Sequence, residues 1–390
     1  MTTSDAEMRT AEPSAKPLEK LIIEDPYYAW QRHEGVRVIL DFAFDDLGTV
    51  ELTPWPRKGG SGAIINIPYA HLPNDAHLIE IKPGAKSDPE HHMYEENVYV
   101  VSGRGATSVW LNERKKLTFE WHAGSVFAIP LNAWYQHFNA SGSEPARYLA
   151  VTNTPPIMRL FGDEEFVFNT PFEFKRRFAG DADYFSSEGT LYSKNEWVSN
   201  FIPNAPDMPL YSRENRGAGG IHIGLRMAQN NLHCHISEFP VGTYKKAHRH
   251  GPGAHLLILS GEGYSMLWTE GSEFRKADWR KGGMVIVPSD ACFHQHFNTG
   301  ATRARYLAMT HGDQGAYSTN ARETLTSEGG LGGSDVSLNE GGRQIEYEDE
   351  DRQLHQIFET DLKRSGAPCL MKAFVPWCTG ELGPTDERDT

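Results

Sequence analysis

The chain contains a second copy of part of itself. Ser102, Gly103, Arg104 and Gly105 return as Ser260, Gly261, Glu262 and Gly263. Gly84 returns as Gly242, Trp110 as Trp268, Gly124 as Gly282 and Pro130 as Pro288, each pair standing 158 positions apart. Gln136, His137, Phe138 and Asn139 return as Gln295, His296, Phe297 and Asn298 at a spacing of 159, so one residue is inserted after Pro288. The strand Ala146, Arg147, Tyr148, Leu149, Ala150 restores the 158 spacing with Ala304, Arg305, Tyr306, Leu307, Ala308. A register held this long means that one domain was duplicated, and both halves must satisfy the same backbone.

Each copy reads as short strands broken by turns. Val98 to Val101 runs into a glycine turn, and Val126 to Ile129 runs into Pro130; Leu256 to Leu259 and Met284 to Val287 are their counterparts. Strands of this length with regular Gly, Pro and Asn punctuation indicate an all-β sandwich or barrel, and neither copy has the sustained 3.6-residue period of a long helix. The expected division is an N-terminal arm over 1–60, a first barrel over 61–160, a connector over 161–205, a second barrel over 206–315, and a C-terminal segment over 316–390. The first twenty residues read as a polar arm without the apolar run of a secretory signal. The connector is aromatic-rich and shows no period. Gly329 to Ser334 reads as a flexible tract, followed by a helix over 348–364: Glu348 to Asp351 suit its N-terminal end, Leu354, Ile357, Phe358 and Leu362 share one face, and Gly366 stops it.

Composition narrows the partners. With 39% hydrophobic and 23% charged residues the chain is globular, and a net charge of −14 without a basic run argues against nucleic acid and anionic membranes. No stretch is long and apolar enough for a membrane helix. Four cysteines, Cys234, Cys292, Cys369 and Cys378, form no CxxC pair, which suggests reduced thiols in a cytoplasmic protein.

The second copy reads Gly242-x5-His248-Arg249-His250, then Gly261; it continues Gly282-x5-Pro288 and ends at His294 and Asn298. This resembles the two motifs of the cupin superfamily, G-x5-H-x-H-x3/4-E-x6-G and G-x5-P-x-G-x2-H-x3-N. It departs from them at Asp290, where the family has Gly, and by one extra residue before His294. The resemblance covers about residues 61–160 and 206–315 and implies two tandem double-stranded β-helix (jelly-roll) barrels, a bicupin. Alternate residues of a strand share a face, so His248 and His250 point together. The family's fold would bring His294 beside them. Three imidazoles suit a first-row divalent metal and leave coordination positions open, as catalytic sites do.

The family's glutamate position falls on Ala254, which cannot bind metal. His255 is the expected fourth ligand if the strand bulges there, although strict alternation points it away. His255 and His296 are the candidate proton-transfer groups, and His296 shares the face of His294. In the first copy the counterparts of His248, His250 and His294 are Glu90, His92 and Tyr135, with Glu96 kept at the acid position. That copy reads as a degenerate site retained for packing; Glu90, His92 and Glu96, with His137, could alternatively hold a harder metal. His77, His233 and His235 read as barrel-wall residues, and Trp110 and Trp268 as core rather than substrate pocket.

The leading expectation for function is an Fe(II) dioxygenase acting on a small aromatic or organic acid, by resemblance to tandem-cupin ring-cleaving enzymes of the gentisate dioxygenase type. The alternatives are a non-redox hydrolase, decarboxylase or isomerase using Zn, Mn or Ni, and a binding protein without turnover. The resemblance also implies a homo-oligomer formed through barrel edges and N-terminal arms.

Overall fold

The computed structural model describes residues 24–68, 73–112, 115–251, 253–288, 291–311 and 336–382. The expected polar arm, the Gly329–Ser334 tract and the turn at Asp290 lie outside these. Both copies fold as β-barrels built from one large and one three-stranded sheet. In the first, the large sheet runs Arg37–Leu40, Gly60–Asn66, Asp75–Ile81, Ala146–Thr152, Glu96–Ser102, Val126–Ile129, Phe201–Ile202, with Thr53–Trp55 joined to one side. It closes on Trp134–Asn139, Arg104–Trp110 and Leu117–His122. In the second, Ile221–Arg226, Leu232–Phe239, Ala304–His311, Ala254–Ser260 and Met284–Val287 close on Arg275–Arg280, Glu262–Trp268 and Phe293–Asn298.

The duplication reappears strand for strand: Glu96–Ser102 matches Ala254–Ser260, and Arg104–Trp110 matches Glu262–Trp268, with identical bounds at the 158 spacing. Gly103 and Gly261 share left-handed φ values of 85° and 81°. A Cβ at either would stand 2.7 Å from the Cα of Ala146 or Ala304, so the turn excludes any side chain.

Each large sheet is apolar on both faces, which explains the unbroken runs of the sequence. Inner residues such as Ile79, Val98 and Tyr148 fill the first barrel, and Leu256, Ile258 and Tyr306 fill the second. The alternating residues, including Leu78, Leu149, Ile236, Leu257 and Leu307, form one core between the two barrels. Each such buried aliphatic contributes about 1.5–3 kcal/mol, so the two barrels are joined by a core as continuous as either interior.

Segments of the chain also cross over. Ala43–Phe44, which precede the first barrel, pair with Met284 and Val285 of the second. Phe201–Ile202 of the connector pair with Val126 and Phe127 of the first. The aromatic N-terminal stretch forms a helix, Pro26–Glu34, capped by Asp25 and burying Tyr27 and Trp30. The connector, unassigned from sequence, holds a helix over Glu164–Asn169 and three short strands.

The C-terminal helix runs Arg352–Ser365, shorter at its start than expected. Asp351 caps it by accepting from the Gln353 amide at 2.9 Å, and Glu350 turns inward to the Tyr244 hydroxyl and Gln295. The acidic run is therefore a cap and an anchor, not a first turn. Leu354, Phe358 and Leu362 pack against Tyr264, Met266 and Phe297 on the outer face of the small sheet of the second barrel. No helix among the described residues is long and apolar enough to cross a membrane.

Candidate metal centre

His248 and His294 face each other across an antiparallel bridge, with His248 N donating to His294 O at 3.1 Å and His294 N to His248 O at 2.9 Å. Their ring centroids are 4.1 Å apart; His250 completes a triangle at 5.5 Å from His248 and 4.8 Å from His294. One ligand nitrogen from each ring lies within 4.8 Å of the others. His248 and His294 are buried and His250 is partly exposed, so the cluster meets solvent on one side.

The local structure holds these rings in place. His248 Nδ1 lies 3.2 Å from the Lys246 carbonyl, which places a proton there and leaves Nε2 free for a metal. His294 is buried, and its Nδ1 makes no hydrogen bond of good geometry. The C-terminal segment adds the far edge: His248 bridges Gln344, Ile345 N donates to Ala247 O at 2.8 Å, and Arg249 N to Arg343 O at 3.0 Å. Burial, followed by the positive charge of Arg216, pushes His248 well below its ordinary pKa and His250 down to about 4. Burial and the neighbouring His250 and His296 do the same to His294. All three imidazoles are neutral at physiological pH, the form that binds metal. A divalent first-row ion fits this donor set.

His296 lies one step further along the same strand face, its ring 5.4 Å from His294. Its Nδ1 is 2.8 Å from Ser265 Oγ, and burial with Lys245 lowers its pKa to about 3. It is a neutral group lining the interior, outside the three-histidine cluster. Lys245 N donates to His296 O at 3.0 Å, and the Lys245 ammonium nitrogen sits 5.1 Å from the ring centroid of Tyr306. Burial, Arg216 and Arg213 push Lys245 well below the usual lysine range. His235, 6.1 Å from Tyr306, continues the polar wall. The charges bearing on these rings are thus cationic, which favours an anion in the barrel.

His255 does not join the cluster. It occupies the outward register of its strand, with Leu257 and Leu259, and its Nδ1 is 3.0 Å from Asn74 Nδ2 of the first barrel. The strand keeps strict alternation through this position, so the expected fourth-ligand and proton-transfer roles of His255 are corrected: it is a polar contact between barrels. Ala254 takes the inward place. Arg249 lies over the Phe293 ring at 4.7 Å, away from the cluster. Trp268 stacks on Phe293 and packs at the edge of the C-terminal cap, outside the lumen.

A family model described as the cupin domain matches residues 77–152, the strands of the first barrel. The second barrel repeats those strands at a spacing of 158 residues, or 159 at Phe293–Asn298. The first barrel is a cupin domain. Solved structures of oxalate decarboxylases are among those the chain is similar to. The one from Bacillus subtilis at pH 4.6 is 15% identical, with 70% of this chain and 77% of that chain covered and a TM-score of 0.47. Another, studied for the Mn(II) centres of the Bacillus subtilis enzyme, is 15% identical with coverages of 71% and 78% and a TM-score of 0.46. At this identity the likeness carries nothing about the reaction of this chain. No curated protein matches it.

In the first barrel the residues equivalent to the histidine cluster bond to one another and to Lys58. Lys58 donates to both oxygens of Glu90, at 2.9 and 3.0 Å, and to the Tyr135 hydroxyl at 3.2 Å. His92 Nε2 is 3.1 Å from Glu96 Oε2 and 3.1 Å from the Tyr135 hydroxyl, which donates to Glu96 at 3.2 Å. Burial alone would raise Glu96, but Lys58 and His92 hold it down to about 2. Trp30, Trp55 and Tyr94 close around His77, so the lumen is packed. A lysine ammonium occupies the centre of the degenerate site. Its counterpart at the 158 spacing is Arg216, the cation beside the second site. Sequence reading passed over Lys58, Arg216 and Lys245, although the repeat register pairs the first two.

Proposed function

We propose that the second barrel is a metal-dependent catalytic centre for a small organic acid, with His248, His250 and His294 as ligands. The observation that carries this is the convergence of three imidazoles, two buried and one partly exposed, beside Arg216, with no acidic ligand among the described residues. Such a set leaves the ion its full positive charge and several open positions, to which a carboxylate binds favourably. Arg216 adds attraction for the same anion.

Two reaction classes use this binding mode. Non-redox polarisation of a carboxylate or carbonyl, as in decarboxylation, needs a group that exchanges a proton near neutral pH. Lys245, which burial and Arg216 push well below the usual lysine range, is the candidate for that group, while His296, lowered to about 3, stays neutral and serves as a hydrogen-bonding partner. This reverses the order expected from sequence, where O2-dependent oxidation stood first. The oxygenase reading keeps one support, the all-histidine ligand set, which leaves room for both a bidentate acid and O2 at Fe(II). Mn, Zn or Ni serve the first class and Fe(II) the second.

The test is elemental analysis of protein purified without a metal-affinity tag, together with CO2 release and O2 uptake against a panel of small mono- and dicarboxylic acids. Bound metal with CO2 release and no O2 consumption supports the non-redox reading. Iron with substrate-dependent O2 uptake replaces it with the oxygenase. Metal-free protein without turnover overturns both.

A further inference from the structure

Among the described residues a second group of metal-binding side chains converges away from the barrels, in the C-terminal cap. His355 and Glu359 are four apart on the helix and therefore share a face. The helix stops at Gly366 in the left-handed conformation, and the chain folds back to bring Cys369 and Cys378 over that face. One ligand atom from each of the four lies within 4.8 Å of the others. His355, Cys369 and Cys378 are buried and Glu359 is half-buried.

Ordinary packing leaves this cluster unexplained. The cysteines are not bonded to each other, and their sulfurs stand 3.5 Å apart. Two thiolates on a tetrahedral zinc, with Zn–S of about 2.3 Å, would be roughly 3.8 Å apart. His355 Nε2 is 3.2 Å from Glu359 Oε1, yet it is a buried nitrogen without a hydrogen bond of good geometry. The two groups touch as an i,i+4 pair, and both also lie within 4.8 Å of the two sulfurs. The other ring nitrogen, Nδ1, is held by the Tyr244 hydroxyl at 3.0 Å, the outer contact that fixes a ligating histidine with Nε2 forward.

We propose that Cys369, Cys378, His355 and Glu359 bind a structural zinc ion. Two sulfurs, one imidazole and one carboxylate are a donor set of zinc softness and not of magnesium or calcium, and four protein ligands close the coordination sphere. The ion ties residues 366–382 back onto the helix. That segment is also tied to the barrel, since Leu370 N donates to Gly242 O at 2.8 Å. The zinc thus clamps the cap whose leading residues, Arg343 to Ile345, form the edge beside His248. This site shares no ligand with the barrel centre, and the proposal does not depend on the reaction there.

The experiment uses the full chain carrying His248→Ala, His250→Ala and His294→Ala, which removes the barrel ligands. Elemental analysis after growth with zinc should find about one zinc per chain, released by a mercurial thiol reagent. Adding Cys369→Ser and Cys378→Ser should remove it. Because the serine variants could fail to fold, the second readout keeps both cysteines: cobalt substitution of the triple-histidine variant should give a thiolate-to-cobalt charge-transfer band. A zinc-free triple variant without that band overturns the proposal, as does a Cys369–Cys378 disulfide found by mass spectrometry of unreduced, alkylated protein.

Discussion

Lys58→Met is the most informative single change in the first barrel. Lys58 is 1% exposed and Glu90 7%. Burial opposes the charge on Lys58, but Glu90 and Glu96 together raise its pKa, so the ammonium is charged and neutralises two buried carboxylates. Removing it breaks three hydrogen bonds and leaves Glu90 without its ion-pair partner in a packed interior, while Glu96 keeps His92 and Tyr135. Losing one partner of such a buried pair costs about 3–5 kcal/mol, because the remaining charge is left uncompensated. Replacing both partners by groups of similar shape costs much less. Urea denaturation of the wild type, Lys58→Met, Glu90→Gln and the double variant forms a thermodynamic cycle, with hydrogen exchange showing that the loss falls on the first barrel. Lys58→Met should lose about 3 kcal/mol or more, and adding Glu90→Gln should recover part of it. If the ammonium fills the place of a metal ion, a divalent cation should restabilise Lys58→Met and leave the wild type unchanged. A loss under about 1 kcal/mol, or the same loss in the Glu90→Gln background, would refute the reasoning.

The two barrels should respond differently to loss of the equivalent histidine. His250→Ala should remove the metal of the second barrel, whereas His92→Ala should leave it in place, as read by metal content; equal losses would mean that the first barrel also holds an ion. Glu350 gives a pH dependence: burial raises its pKa from 4.5 to about 7, so the native state favours the protonated acid. Its contribution is therefore complete below about pH 4.5 and is lost as pH rises through about 7, a difference of up to about 3 kcal/mol. Relative to Glu350→Gln, the wild type should gain stability between pH 8 and pH 5 in denaturant titrations; parallel pH profiles would contradict the assignment.

The sequence disclosed what repetition and alternation encode. The 158-residue register located the turns and strands of both barrels, because glycines with forced φ values cannot drift. The His-x-His pair was legible because alternate strand positions share a face. The same rule correctly opposed a ligand role for His255, and the family's spacing misled where the strand did not bulge. What stayed hidden depends on contacts between distant segments. Nothing near Lys58 in sequence announces Glu90 and Tyr135, and Arg343 to Ile345 have no strand signal until they meet Ala247 and Arg249. The cysteines were scored by local spacing, which finds paired cysteines on one turn but not two that meet a helix face.

These long-range contacts make the second barrel's centre a product of the whole C-terminal segment. The strand bearing His248 has His294 on one side and Gln344 on the other. Gln344 belongs to a segment that continues to Glu350, whose carboxylate accepts from Gln295, the residue between His294 and His296. Tyr244, on the approach to His248, contacts both Glu350 and His355. The segments that carry His248 and His294 are therefore gripped from outside the barrel. In the first barrel a lysine within the lumen holds the equivalent residues together, bonding to Glu90 and Tyr135 where the second barrel has His248 and His294.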